Sequence, residues 1–446
     1  MLRLHRILYV PNHGSPLTNH PSPMPLNRRR FLKHALAASA AAATLPTRSL
    51  VAADAPPSAG ARYPYLGRTA NYRPHAIVPP GRTVKKIETF TKGPYAMVRL
   101  TTNDGREGWG QISPYDADIS AQILHQKIAR LVLGKDIAAI DDLNDAAIDA
   151  NMKWPWSFVC RALCGVDTAL WDLYGQITGK PVCELIGGTV KALPAYGSSM
   201  RRDISPQDEA ARLARLRDTS GFRAFKIRLG VPTGHNGDAA PGRSEAIIPA
   251  VRAAVGPDVA LFADANSCYT PDVAIAMGRR LEDANYAMYE EPCPYWELEW
   301  TQEVTAALTI PVSGGEQDND MAQWRRMIRM RAVDIVQPDI CYIGGLTRAL
   351  RVAGMAHEAG LVVKPHAANL SMVTVFTMHM LAAIPGAGEL EFSIEAVTNM
   401  TREARAMFEP AVEVKDGRAH LTHEPGWGIR VRPEWMASAT HQVSEA

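Results

Sequence analysis

From about Pro194 onward, the chain alternates between two textures. Short apolar runs of strand character recur: AYGSS (195–199), AFKIRLG (224–230), VALFADAN (259–266), YAMYEEP (286–292), IPVSGGE (310–316), VDIVQPD (333–339), LVVKPH (361–366) and ELEFSIE (389–395). Between them lie segments whose apolar positions recur at helical spacing. A strand, a helix and two short loops make one parallel α/β unit, and eight such units suffice to close a (β/α)8 barrel. One helix start is legible in detail: Thr270 is placed to cap, Pro271 suits the first turn and Asp272 favours the helix dipole. The Gly/Pro-rich stretch 230–243 reads as an insertion in the loop after the second strand.

Upstream the pattern differs. VKKIETF (84–90) and YAMVRLTTNDG (95–105) read as paired strands, the second ending in an Asp-Gly turn. ISAQILHQKIARLVLG (119–134) and CRALCGVDTALWDLYGQITG (160–179) follow with helical periodicity. Strands and then helices, without βα alternation, describe a small α+β domain. The predicted fold class is α/β: a modified (β/α)8-type TIM barrel over 193–415, preceded by an α+β domain over 82–192. The strand-like tail VEVKDGRAHL (412–421) is expected to leave the barrel, so that about 416–446 completes the first domain.

Composition narrows the function. The 446 residues are 46% hydrophobic and 21% charged with a formal charge of +2, ordinary values for a soluble globular protein. No basic face appears beyond residue 33, which argues against a nucleic-acid partner. The N-terminus is distinctive. NRRRFLK (27–33) precedes an alanine-rich, uncharged stretch from Ala35 to Leu45 and then VAAD (51–54). A basic head, a short apolar middle and a small-residue exit make a bacterial export signal. The Arg28-Arg29 pair gives it twin-arginine character, with Met24 as an alternative start. The apolar stretch is shorter than the ~20 residues a membrane span needs, so no stable anchor is expected. Residues 1–53 are thus expected to be a signal handled transiently by the twin-arginine machinery, and 54–81 a Pro-rich arm of a periplasmic protein. The six cysteines form no CxxC pair and no zinc spacing, and all are expected to be free thiols.

The candidate chemistry lies at the strand ends. Asp264, Glu290 (or Glu291), Glu316, Asp339, His366 and Glu391 each close a successive apolar run, 23 to 27 residues apart. In a (β/α)8 barrel, chemistry gathers at the C-terminal ends of the strands, so these side chains are aimed into a single bowl. Asp264, Glu290 or Glu291, and Glu316 offer hard oxygen ligands suited to Mg²⁺. Asn266, two residues past Asp264, is placed to orient ligands or substrate. Asp339 beside His366 forms a base whose tautomer the carboxylate fixes. Lys226 and Arg228 face inward to clamp a substrate carboxylate or to transfer a proton. Such a set suits proton abstraction next to a carboxylate, with a cation absorbing the charge. The Gly344-Gly345 pair lacks phosphate-loop spacing and reads as a tight turn.

With these residues in place, the chain from about Arg82 to Pro433 resembles the enolase superfamily, in particular its mandelate racemase subgroup. ALCGVDTALWDLYGQITGKPVCELIGG (162–188) looks like that family's helix closing a capping domain. The resemblance implies Asp264, Glu290 and Glu316 as metal ligands, Asp339 and His366 as the dyad, and Glu391 as the acid contacting substrate oxygen. It also implies that the capping segments PYDADIS (114–120) and KWPWSF (153–158) close over the barrel. One position departs from the type pattern. Mandelate racemase carries Lys-x-Lys on the second strand, whereas here the motif is Lys226-Ile227-Arg228, and an arginine is a poor base. Asp339 likewise differs from the lysine of muconate-cycloisomerising and succinylbenzoate-forming relatives. The resemblance therefore implies an Mg²⁺-dependent dehydratase acting on a small-molecule sugar acid, a carbon–oxygen lyase and a homo-oligomer. The alternatives are an epimerase with Lys226 as second base, or a non-catalytic sugar-acid binder.

Overall fold

The structure, a computed structural model, describes residues 77–446 apart from Pro155, Asn369, 396–401 and 403–404. The proposed export signal and the arm up to residue 76 lie outside the described residues. No described helix is long and apolar enough to cross a membrane.

β1 (Val84–Lys92), β2 (Tyr95–Thr102) and β3 (Glu107–Ile112) form an antiparallel sheet. Its free edge along β1 is taken by the C-terminal strand Thr440–Glu445, from Lys86 opposite Glu445 to Thr91 opposite Thr440. β3 is absent from the strands that the pattern predicts, because Gly108 and Gly110 weaken its strand character. Packing explains both glycines. The 22-residue helix Ser157–Thr178 crosses β3 so closely that a Cβ on Gly110 would lie 2.4 Å from the Gly165 carbonyl oxygen. A Cβ on Gly108 would lie 2.4 Å from that of Ala169.

The same helix faces the barrel on its other side. Trp171 Nε1 donates to Thr347 Oγ1 at 3.0 Å. Asp172 accepts from the backbone N–H groups of Trp109 (2.8 Å) and Trp427 (2.9 Å). Trp171 is thus satisfied across the domain boundary, and Asp172 ties β3 of the cap to the C-terminal segment at Trp427.

Eight parallel strands make the barrel: β4 (Ala192–Ser198), β5 (Ala224–Arg228), β6 (Ala260–Asp264), β7 (Met288–Glu290), β8 (Val312–Gly314), β9 (Ile335–Val336), β10 (Val362–Val363) and β11 (Leu390–Ser393). Neighbours pair in chain order from β4 to β10, and β11 pairs with β4. Gly388 N donates to Val363 O at 3.5 Å across the remaining gap.

Two expectations are corrected. The tail segment around 412–421 stays on the barrel: Val414–Lys415 and Arg418–His420 form a hairpin whose second strand runs antiparallel to β4, with Arg418 opposite Pro194. β11 engages β4 only from Ala195 and β5 only from Gly197. Residues 192–194 would otherwise be an open edge, which the hairpin covers. Only 440–445 returns to the first sheet. Thr270 stands at the N-cap, with Pro271 following, but makes no side-chain cap bond. Its hydroxyl bonds Asp272 instead, and Asn236 from the 230–243 insertion accepts from its N–H at 2.8 Å.

Candidate active site

The strand pleat builds the site in two layers. Tyr196, Ala224, Phe262, Met288 and Ile335 form a buried apolar cluster inside the barrel. Side chains two residues apart share a strand face. Ser198, Lys226, Asp264, Glu290 and Gln337 therefore stand one layer higher, at the C-terminal mouth, as do Glu316 after β8 and His366 after β10. Lys364 packs below, its Nζ 3.9 Å from the Phe262 ring centroid.

The carboxylates converge. Ligand oxygens of Asp264, Glu290 and Glu316 lie within 4.8 Å of one another, and all three residues are buried. Parity places Glu290, two residues after Met288, in this cluster. Glu291 sits beside it with positive φ, and its Oε1 is buried without a hydrogen-bond partner. Glu316 Oε2 is likewise buried and without a hydrogen-bond partner. Three hard oxygen donors with one orphaned oxygen fit a small divalent cation.

The cations flank this cluster. Lys226, fully buried, puts Nζ 2.6 Å from Glu290 Oε1 and 2.7 Å from Glu391 Oε1. Burial disfavours its charge, but Glu290 and Glu391 outweigh that and raise its pKa. Arg228 pairs with Asp264 through Nη1, which also donates to Asn266 Oδ1 at 2.9 Å, while its Nε donates to Ser199 O at 2.9 Å. Asn266 does not continue the extended strand as expected. Its φ is 42°, because the chain turns after Asp264, and its own N–H caps Asp264 Oδ1 at 2.7 Å.

Asp339 splits its two oxygens. Oδ1 accepts from the N–H groups of Cys341 (2.7 Å) and Tyr342 (2.9 Å), capping the short helix Ile340–Ile343, while Oδ2 meets His366 Nδ1 at 2.7 Å. His366 Nε2 then faces Glu316 Oε2 at 3.4 Å and Glu391 Oε2 at 3.9 Å. Burial opposes the imidazolium, yet Glu316, Glu391 and Asp339 outweigh it and push the pKa up to about 10. A bound divalent cation would oppose that shift. Glu391 accepts from Ser198 Oγ at 2.7 Å and Ala367 N at 3.1 Å. Burial raises its pKa, but Lys226 and His366 more than reverse that and hold it ionised, as an acceptor.

Sequence reasoning missed several groups. Ser198 touches Glu391, and Gln337 Nε2 donates to Glu290 Oε2 at 2.8 Å. Strand alternation was the available signal, since Gln337 stands two residues before Asp339. Arg161 and Tyr342 carry no such signal, because they reach the mouth from a helix and a turn. All six cysteines are unpaired and buried, as expected.

Fold and site together define a barrel enzyme with an acid-rich mouth beneath an α+β cap. Residues 75–187 match the mandelate racemase/muconate lactonizing enzyme N-terminal domain, and residues 208–435 match the enolase C-terminal domain-like family. The chain belongs to the mandelate racemase/muconate lactonizing enzyme family of the enolase superfamily. It is similar to a proposed racemase of Roseobacter denitrificans, with 54% identity, a TM-score of 0.80, and coverage of 82% of this chain and all of that one. A mandelate racemase/muconate lactonizing protein of Paracoccus denitrificans complexed with magnesium is 29% identical, with a TM-score of 0.74, covering 82% of this chain and 99% of that one. The arabinonate dehydratase of Saccharolobus solfataricus is 29% identical over 362 residues, 79% of this chain and 92% of that protein.

Proposed function

We propose that this protein is an Mg²⁺-dependent dehydratase that removes the proton α to the carboxylate of a sugar acid and eliminates the neighbouring hydroxyl. The product is a 2-keto-3-deoxy acid. The observation that carries this reading is the His366–Asp339 contact at 2.7 Å, set against a buried carboxylate triad. Asp264, Glu290 and Glu316 would hold Mg²⁺, whose charge, when bound, stabilises the enediolate. Asp339 holds the Nδ1 proton, leaving Nε2 to accept the α-proton. The imidazolium then returns a proton to the departing hydroxyl, so that water leaves and the enol becomes the ketone. Lys226, pinned between two carboxylates, stays protonated and serves as an electrostatic clamp.

A second reading, inversion at the same carbon, is favoured by the description of the Roseobacter denitrificans relative as a proposed racemase. It needs a base on each face. The clamped Lys226 and the Arg228–Asp264 pair oppose that need.

The test is to load the protein with Mg²⁺ and offer it a library of sugar acids in D₂O. Dehydration gives a keto acid without accumulation of an inverted, deuterated substrate. Accumulation of that epimer instead establishes the second reading. Neither exchange nor product across the library, with the ion shown to be bound, sinks both. Chelation should abolish turnover and lower the melting temperature, because bound ligand stabilises the native state by about 3 kcal/mol at a hundredfold excess over Kd. Glu316→Gln should lose that metal-dependent stabilisation.

We also propose periplasmic delivery through the Arg28-Arg29 signal.

A further inference from the structure

One cation at the mouth has no counterpart in this chemistry. Arg161, half-buried near the start of the helix Ser157–Thr178, lays its guanidinium 4.0 Å from the Tyr342 ring centroid and donates to Ser113 Oγ at 2.6 Å. It has no acidic partner among the described residues. The Tyr342 ring in turn stands 5.8 Å from the His366 ring. The shared ring thus holds the guanidinium within about 10 Å of the imidazole.

Two further tyrosines sense the same charge. Tyr115, held in the cap with a φ of 70°, has its pKa raised by burial first, with Asp339 and Glu316 adding to the rise and Arg228 and Arg161 opposing it. Tyr295, in the loop after β7, is likewise raised by burial, with Asp318 and Glu291 adding and Arg161 opposing. Arg161 therefore sits where the cap meets the barrel, between Ser113 and Tyr342. A non-glycine residue of the bulk of Tyr115 at positive φ is strained.

The other cations differ. Lys226 and Arg228 are neutralised by Glu290, Glu391 and Asp264. Arg202 is spent on the carbonyl oxygens of Gly230 and Leu229 and on Asn266. An aromatic face compensates a desolvated cation only in part, and the planar fork of an arginine matches a carboxylate. An extended six-carbon chain spans roughly 6 Å by standard bond lengths, less than the upper bound that the shared ring sets on the separation of His366 and Arg161.

We propose that Arg161, framed by Tyr115, Tyr295 and Tyr342, binds a second carboxylate at the far end of the substrate. The enzyme then acts on dicarboxylic in preference to monocarboxylic sugar acids. This rests on the dehydratase reading for which end of the substrate reacts, but the subsite can be measured without turnover.

The experiment is calorimetric binding of a hexaric acid and the hexonic acid of the same configuration to the Mg²⁺-loaded protein. His366→Asn is the background that prevents turnover. The diacid should bind at least tenfold tighter. Arg161→Met should remove that preference by weakening the diacid alone, and Arg161→Lys should restore part of it. Thermal melts of each variant confirm folding. Equal affinity for the two acids overturns the proposal, as does binding of neither, or an Arg161→Met loss that is equal for both and marks a structural strut. Turnover separates the two readings. Dehydration of monoacids only overturns the subsite and leaves the dehydratase. A diacid preference without elimination or α-exchange keeps the subsite and overturns the dehydratase.

Discussion

His366 and Asp339 divide the labour of one base, and their geometry says how each should fail. His366→Asn removes the proton acceptor, so turnover and α-exchange should fall by about a thousandfold or more. Asp339→Asn keeps an oxygen to cap Cys341 and Tyr342 but turns an amide toward Nδ1, favouring the wrong tautomer at Nε2. A loss of about a hundredfold is expected, with the ion still bound. Initial rates and deuterium wash-in on the same substrate check both, and wild-type turnover by His366→Asn would return Lys226 to the role of base. At this scale the sequence was readable wherever a strand end delivered the side chain. Period-two alternation and even spacing placed Asp264, Glu316, Asp339 and His366. Strand parity alone left Glu290 and Glu291 open; the resemblance implied Glu290, and the barrel's register, with Met288 beneath it, puts Glu290 in the cluster. Asn266 orients Asp264 as expected, through its N–H at 2.7 Å and its Nδ2 at 3.2 Å, but from a turn and not from an extended strand. Arg161 was invisible, because a helix in one domain reaching a turn in another leaves no periodic trace.

Elements show the same divide between local and distant causes. The barrel strands announce themselves by their apolar runs. β3 hides, because its glycines answer to Gly165 and Ala169, more than fifty residues away. The 412–421 hairpin was legible as strand but not as to partner, since the open edge at 192–194 exists only after β4 has paired with β5 and β11. Where the helix Met372–Ala383 meets Trp427, packing creates a pH dependence. His379 is buried, with Nδ1 accepting from Cys183 N at 3.0 Å and Nε2 facing Trp427 O at 3.3 Å. Burial lowers its pKa to about 4. The unfolded chain therefore binds the proton first. Stability is intact above pH 6.5 and is lost as the pH falls toward 4, by about 3 kcal/mol. Asp167 and Asp172 work in the opposite sense. Burial raises both to about 6 despite their hydrogen bonds, so protonation stabilises the fold over a similar window. The wild-type curve alone thus mixes the two effects. The measurement is denaturant unfolding of His379→Gln beside wild type at pH 7 and pH 4. The variant should gain on wild type by about 3 kcal/mol between those values, and a pH-independent difference would refute the neutral, buried imidazole.

At the scale of the whole molecule, the first and last described strands meet in one sheet. The last strand, 440–445, pairs with β1 near the start of the described residues, and the hairpin at 414–420 seals β4. The barrel's open edge and the cap's sheet are completed only by residues 414–420 and 440–445. A protein built this way suits an export route that carries folded chains, and its six unpaired, buried cysteines ask nothing of an oxidising compartment. In the delivery we propose, the Arg28-Arg29 pair, the alanine-rich stretch and the small residues before Asp54 would be the matching address. Arg28→Lys together with Arg29→Lys keeps the charge and removes only the pair. The expected outcome is uncleaved precursor in the cytoplasm, folded and competent for metal-dependent turnover, whereas the parent is found in the periplasm cleaved near Ala53. Fractionation with N-terminal sequencing reads both points. Undiminished periplasmic delivery of the double variant would rule out the twin-arginine route while leaving the site chemistry untouched, because none of its residues lies upstream of the cap.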